Sequence, residues 1–168
     1  DTLVDKYYIS HELGRGGMGI VYAASRADRT FEQDLAVKFI QPSLSHILGE
    51  HALFQEAQLL AHLNHPCIAK VFDGGVYEES VYIVMERVEG ETLSLYLQNR
   101  SCSEKQRLNL FKEICSAIEH AHQKQVLHAD LKPENILIDP FGSPKILDFN
   151  LTQKVKQPTP NQSSDASI

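Results

Sequence analysis

The chain has 168 residues, 42% of them hydrophobic and 23% charged, a globular composition with room for one domain or two small lobes. A net charge of −6 argues against nucleic acid as the main partner, because phosphate-backbone binders carry a basic excess. The widely spaced Cys67, Cys102 and Cys115 predict neither a disulfide framework nor a metal knuckle and fit a reducing, cytoplasmic setting. No apolar run nears the roughly 18 residues of a membrane span, and no charged-then-apolar leader opens the chain. The first residue is Asp1 rather than methionine, which reads as a cut end.

In chain order, YYISHEL, GIVYAASR and DLAVKFI are rich in Val, Ile, Tyr and Phe and predict three antiparallel strands between Tyr7 and Ile40. Residues 47–64 carry Leu53, Phe54, Ala57, Leu60 and Ala61 at helical spacing, and Pro66 stops the helix. IAKVFDGGVY and SVYIVME predict two more strands, and a short helix follows around Leu93 to Gln98. Ser101 with Glu104, or Ser103 with Gln106, fits a capping box that opens a longer helix running to about Gln125. NILID and PKILDF read as short strands around the turn signal PFGS, and the Pro/Ser-rich run from Lys154 predicts a disordered tail.

Gly14, Gly16 and Gly19 in GRGGMG form a GxGxxG pattern, which fits a dinucleotide site, a phosphate-covering hairpin or a plain glycine turn. A dinucleotide site needs a helix directly after the glycines, but here strand-like IVYAASR follows. The pattern therefore predicts a hairpin whose backbone amides can close over phosphate. Lys38 shares a strand face with Ala36 and Ile40, while Glu56 lies in a helical stripe with Leu53, Leu59, Leu60 and Leu63. Burying either charge alone is costly, so pairing Lys38 with Glu56 is economical; a purely structural pair, or a helix turned so that Glu56 meets water, fits equally.

HADLKPEN places a carboxylate (Asp130), an ammonium (Lys132) and an amide (Asn135) within six residues, around Pro133. The carboxylate can orient a hydroxyl and accept its proton, the ammonium can offset phosphate charge, and the amide oxygen suits a hard cation. Asp148, at the end of the apolar strand KIL, offers a second hard oxygen or a turn-forming aspartate. His128 reads as a hydrogen-bonded core histidine, and the spacing of His120 and His122 gives no transition-metal site.

Together and in this order the motifs match the protein kinase signature set, and from Tyr7 to Leu151 the chain resembles bacterial members of the Ser/Thr protein kinase-like family. The resemblance implies an α+β, two-lobe fold with a five-stranded antiparallel N-lobe sheet, one N-lobe helix and an incomplete helical C-lobe. The N-lobe and hinge would occupy residues 1–88, the partial C-lobe residues 89–151, and the tail residues 152–168. It also implies ATP and Mg²⁺ as cofactors. Gly14, Gly16 and Gly19 would cover the phosphates, Lys38 paired with Glu56 would bind them, and Val21 and Ala36 would flank the adenine. Leu13, Met85, Glu86, Val88 and Leu137 complete the nucleotide-contacting set, with the hinge in VMERV. Asp130 would be the base, Lys132 the phosphate-facing lysine, and Asn135 and Asp148 the magnesium ligands. Leu60, Val71, His128 and Phe149 fall where that family stacks an internal spine.

Ala129 stands where most of those relatives have arginine, and Asn150 stands where they have glycine. After Leu151 no activation segment or APE-like anchor is recognisable. On the helix 108–121, Leu108, Leu110, Phe111, Ile114, Cys115, Ala117, Ile118 and Ala121 cover about half the circumference, wider than the roughly 100° stripe of a surface helix. That width predicts a partner protein, a continuing chain or poor solubility. The expected activity is phosphoryl transfer from ATP to Ser or Thr of an unidentified protein substrate, with a nucleotide-binding or partner-binding module lacking useful catalysis as the alternative. An unrelated dinucleotide-binding protein is disfavoured.

Overall fold

The structure is a computed structural model that describes residues 2–28, 33–147 and 149. A six-stranded antiparallel sheet is built in the order β1 (Thr2–Val4), β2 (Tyr7–Gly16), β3 (Gly19–Arg26), β4 (Leu35–Ile40), β6 (Ser80–Glu86), β5 (Val71–Tyr77). The predicted strands all form. The sixth, β1, is an addition to the expected five, being too short for a periodic signal and held by Val4, buried against Tyr7 and Ile9.

The expected single helix over 47–64 is instead two, α1 (Pro42–Leu48) and α2 (Glu50–Ala61). Pro42 presets the first turn of α1, and Gly49, at φ 79°, breaks the helical path between them. Beyond the sheet lie β7 (Glu91–Thr92), α3 (Leu93–Asn99), α4 (Glu104–Gln123), a 3₁₀ turn at Pro133–Asn135, and β8 (Ile136–Ile138) with β9 (Pro144–Ile146). Of the two capping boxes the sequence allows, Ser103 with Gln106 forms: Gln106 N–H donates to Ser103 Oγ, and Ser103 N–H donates to Gln106 Oε1.

Alternation divides the sheet into two faces. Val37, Tyr82 and Val84 point outward and are covered by Val4, Tyr7 and Ile9, where β2 bulges and curls over. Burial, and then the hydrogen bond each hydroxyl donates to a carboxylate, Tyr7 to Asp73 and Tyr82 to Asp5, pushes both phenols well above their ordinary range. The inner face carries Ile40, Val71 and Ile83 into a second cluster with Leu53 and Leu60 of α2 and Leu110, Ile114, Ala117 and Ala121 of α4. This cluster runs unbroken through Ile136, Ile138 and Ile146, so one apolar core joins the sheet to the helical half.

Polar contacts reinforce that join. The segment after α2 pairs with β9: Ile146 N–H donates to Cys67 O at 2.8 Å and Ala69 N–H to Ile146 O at 3.0 Å. Beside it, His65 accepts from Cys67 N–H on Nδ1 and donates through Nε2 to Ser116 Oγ, while His120 Nε2 accepts from Asn64 N–H. The His65 ring thus accepts on Nδ1 and donates on Nε2, and burial together with the neighbouring His120 lowers its pKa.

Two outcomes follow from these contacts. A Cβ on Gly19 would lie 1.8 Å from the Phe39 carbonyl oxygen, so Gly19→Ala is expected to cost about 2 kcal/mol or more in urea unfolding, by forced displacement of β4. Because the folded state disfavours the charged form of His65, the unfolded chain binds more protons as pH falls from the ordinary histidine value of 6.5, and stability drops there. Replacing His65 with Gln is expected to flatten that drop in urea unfolding between pH 7.5 and 5.5.

Candidate active site

The β2–β3 hairpin closes through the pair Gly16 and Gly19, with Gly17 and Met18 at its tip. The glycines that the sequence treats alike have different duties. Gly19 is packed on β4, whereas a Cβ on Gly14, Gly16 or Gly17 would meet no protein atom within 4 Å. Protein packing does not require glycine at those three positions. The space they leave belongs to a cleft of about 340 Å³ lined by Gly14, Arg15, Gly16, Gly17, Met18, Gly19, Val21, Lys38, Asp130, Lys132 and Asn135.

The upper wall follows from strand register. Val21 lies opposite Lys38, Lys38 opposite Ile83, and Ala36 opposite Met85, so these residues share the inner face. Lys38 is only 8% exposed and, like Glu56, has an interaction partner. Lys38 lines the cleft, and Glu56 lines a separate cavity between α2 and Val126–Leu127. Ala36 is buried, Met85, Glu86, Val88 and Leu137 are half-buried, and Leu13 is exposed on β2. Leu13, Val88 and Leu137 line neither the glycine cleft nor the small apolar cavity behind it, where Lys38, Leu60, Val71, Met85 and Phe149 meet.

The lower wall is the HADLKPEN loop, and His128 organises it. Its ring is 3% exposed. Nε2–H donates to Leu147 O at 2.7 Å, and Nδ1 accepts from Asp130 N–H at 3.3 Å, which fixes a neutral ring with its proton on Nε2. The imidazole also packs on Phe149 at 4.8 Å between ring centroids, as expected of a satisfied core histidine. Between His128 and Asp130, Ala129 takes φ 61°, a left-handed conformation that nothing in the sequence signals.

Asp130 Oδ2 lies 3.3 Å from Lys132 Nζ, and Asn135 Nδ2 donates to Asp130 O at 2.9 Å. The hydrogen bond from Lys132, its positive charge and the Asn135 amide hold the Asp130 carboxyl below the usual carboxylate range. With its nitrogen committed to Asp130, Asn135 keeps its side-chain oxygen as acceptor, the donor type a hard divalent cation takes. Leu147 N–H donates to Asn135 O at 2.9 Å. Asp148 and Asn150 lie outside the described residues. Leu147 and Phe149, on either side of Asp148, are both fixed to the loop. Among the described residues no group of three His, Cys, Asp or Glu side chains is placed to hold a metal.

The site thus brings together open backbone amides, a buried ammonium, an ionised carboxylate with an adjacent lysine, and an amide oxygen. Such a set can hold a polyphosphate and accept a proton beside it. A further contact escaped the sequence reading: Lys145 on β9 is ion-paired with Glu86, at 2.8 Å. Alternation in PKI puts Lys145 between two buried residues, but nothing there names its partner.

The sequence model of the family described as "Protein kinase domain" matches residues 7–167. The chain is 38% identical to the serine/threonine-protein kinase PrkC of Bacillus subtilis, over 92% of this chain and 24% of that protein. It is 36% identical to the probable serine/threonine-protein kinase PknB of Lactococcus lactis, over 95% of this chain and 26% of that protein. It therefore spans about a quarter of the length of these curated relatives. The crystal structure of the Mycobacterium tuberculosis PknI kinase domain superposes with a TM-score of 0.74 at 23% identity, covering 88% of this chain and 60% of that one, a likeness of fold. With the domain model running over nearly its whole length, the chain belongs to the protein kinase family, on its bacterial Ser/Thr branch.

Proposed function

We propose that the cleft binds Mg²⁺-ATP and that the chain carries the part of a Ser/Thr protein kinase that transfers the γ-phosphoryl group to a protein hydroxyl. The observation that carries this reading is the convergence of Gly14, Gly16, Lys38, Asp130, Lys132 and Asn135 on one cleft of about 340 Å³. The open side of the glycine hairpin leaves backbone amides for phosphate oxygens, and Lys38 adds a shielded positive charge there. Pairing of Lys38 with Glu56 belongs to the proposal.

Asp130, ionised at neutral pH, orients the substrate hydroxyl and takes its proton as the oxygen attacks the phosphorus, while Lys132 offsets charge on the transferring group. Asn135 and Asp148 would hold the magnesium, whose role is to neutralise phosphate charge. Val21, Ala36, Met85, Val88, Leu13 and Leu137 would enclose the base, with backbone at Glu86 in the hinge. Residues 1–88 and 89–151 form the two lobes in this reading. The unpaired Cys67, Cys102 and Cys115 support a reducing, cytoplasmic setting. No helix among the described residues is long and apolar enough to cross a membrane.

The alternative, a nucleotide-binding or partner-binding module without useful catalysis, draws on one observation. Leu110, Ile114, Ala117 and Ala121 of α4 are buried, but Leu108 and Phe111 are exposed and the open groove beside Cys115 and Ile118 is mostly apolar. The expected wide face thus divides into a core stripe and an outward stripe able to receive another protein segment.

Mg²⁺-ATP is expected to raise the melting temperature of the wild-type chain in thermal-shift measurements, and no shift in a folded sample would defeat the nucleotide reading. Asp130→Ala should keep that shift while phosphotransfer to a Ser/Thr peptide falls by about 10² to 10⁴. Retained transfer would remove Asp130 from the chemistry. Lys132→Met is expected to raise the Asp130 pKa toward the ordinary 3.8, read by carboxyl NMR titration, because it removes the largest cause of the depression.

A further inference from the structure

We infer that Lys145 is a positioning residue for the nucleotide, acting through Glu86 to set the separation between roof and floor of the adenine slot; this rests on the nucleotide-binding reading above. Glu86 is the last residue of β6, where the sheet passes into the hinge. Its carboxylate accepts from Lys145 Nζ on both oxygens, at 2.8 and 3.1 Å, and one of these also accepts from Lys70 N–H at 3.2 Å. Glu86 N–H in turn donates to Lys70 O at 2.8 Å, so both backbone and side chain of Glu86 are fixed.

Lys145 belongs to the other side of the cleft. It lies directly opposite Leu137 in the β8–β9 pair, and the two side chains rise from the same face. In the nucleotide reading Leu137 is the floor of the slot. The roof residue, Ala36, is registered on Met85, immediately before Glu86, while its neighbour Leu35 is registered on Glu86 itself. One ammonium thus connects the strand that carries the floor to the residue that fixes the roof.

The pair is shielded enough to matter. The Lys145 and Glu86 side chains are 19% and 32% exposed, and a bidentate, partly desolvated pair is screened less by salt than a pair on the open surface. No phosphate-binding group touches the pair: the glycine hairpin is set by the β2–β3 pairing, Lys38 sits in β4 between Val21 and Ile83, and Asn135 is tied to Asp130. Loss of Lys145 should therefore loosen recognition of the base and spare recognition of the phosphates.

The test compares Mg²⁺-ATP with Mg²⁺-tripolyphosphate, which lacks the base, by calorimetric titration of the wild type, Lys145→Met and Lys145→Arg. In Lys145→Met, ATP is expected to bind about tenfold more weakly, with tripolyphosphate binding unchanged and Lys145→Arg close to wild type. Amide hydrogen exchange at residues 86–88, measured without nucleotide, should quicken in Lys145→Met and not in Lys145→Arg. Equal weakening of both ligands, or unchanged ATP binding, would overturn the positioning role while leaving the nucleotide reading in place. Failure of the folded wild type to bind either ligand would overturn both.

Discussion

A single neutral imidazole holds the lower half of the site in shape. His128 gives its proton to the Leu147 carbonyl and takes one from the Asp130 amide, so it joins the loop that carries Asp130 to the segment that leads into Asp148. Only the bond to Leu147 survives if the ring is doubly protonated, because Nδ1 would then confront the Asp130 N–H with a second donor. The arrangement also accounts for Ala129: turning the chain back to bring the Asp130 amide under the ring requires a left-handed residue, at about 1–2 kcal/mol for a side chain with a Cβ. The hydrogen bonds on either side of it offset that strain.

The upper half reaches the same loop through the apolar core and the backbone contacts beside it. The glycine hairpin is set by β3 and β4, the inner face of that sheet packs on α2, and the segment after α2 exchanges backbone hydrogen bonds with Ile146. Ile146 is one residue before Leu147, the acceptor of His128. The position of the glycine-hairpin amides relative to Asp130 is thus transmitted through a short chain of buried contacts and a two-bond backbone bridge. Lys145, next to Ile146, adds the link to the hinge.

Much of this was legible because it is local. Runs rich in Val, Ile, Tyr and Phe gave the five long strands, serine and glutamine spacing gave one of two capping boxes, and HADLKPEN announced its chemistry through residue types alone. The misses share a cause, which is that they are set by tertiary contacts. β1 exists because Val4 finds the outer apolar cluster, and the break at Gly49 divides what periodicity reads as one helix. The left-handed Ala129, the Lys145–Glu86 pair across 59 residues of sequence, and the histidine contacts between the α2–β5 segment and α4 have no pattern of neighbours from which to be read. The three glycines show the same limit in reverse, since the motif is plain but only the fold separates Gly19, packed on β4, from Gly14 and Gly16, where a Cβ would meet no atom of the described residues within 4 Å.

In the proposed function the Asp130–Asn135 loop and the glycine hairpin enclose Mg²⁺-ATP together, with Asn135 holding the metal only when the nucleotide is bound. The most direct test of that claim is paramagnetic broadening of side-chain amide signals by Mn²⁺ in place of Mg²⁺, with and without ATP. Selective loss of the Asn135 side-chain amide signal only when ATP is present is the predicted result. An Asn135 signal that Mn²⁺ leaves intact in the presence of saturating ATP would contradict the claim.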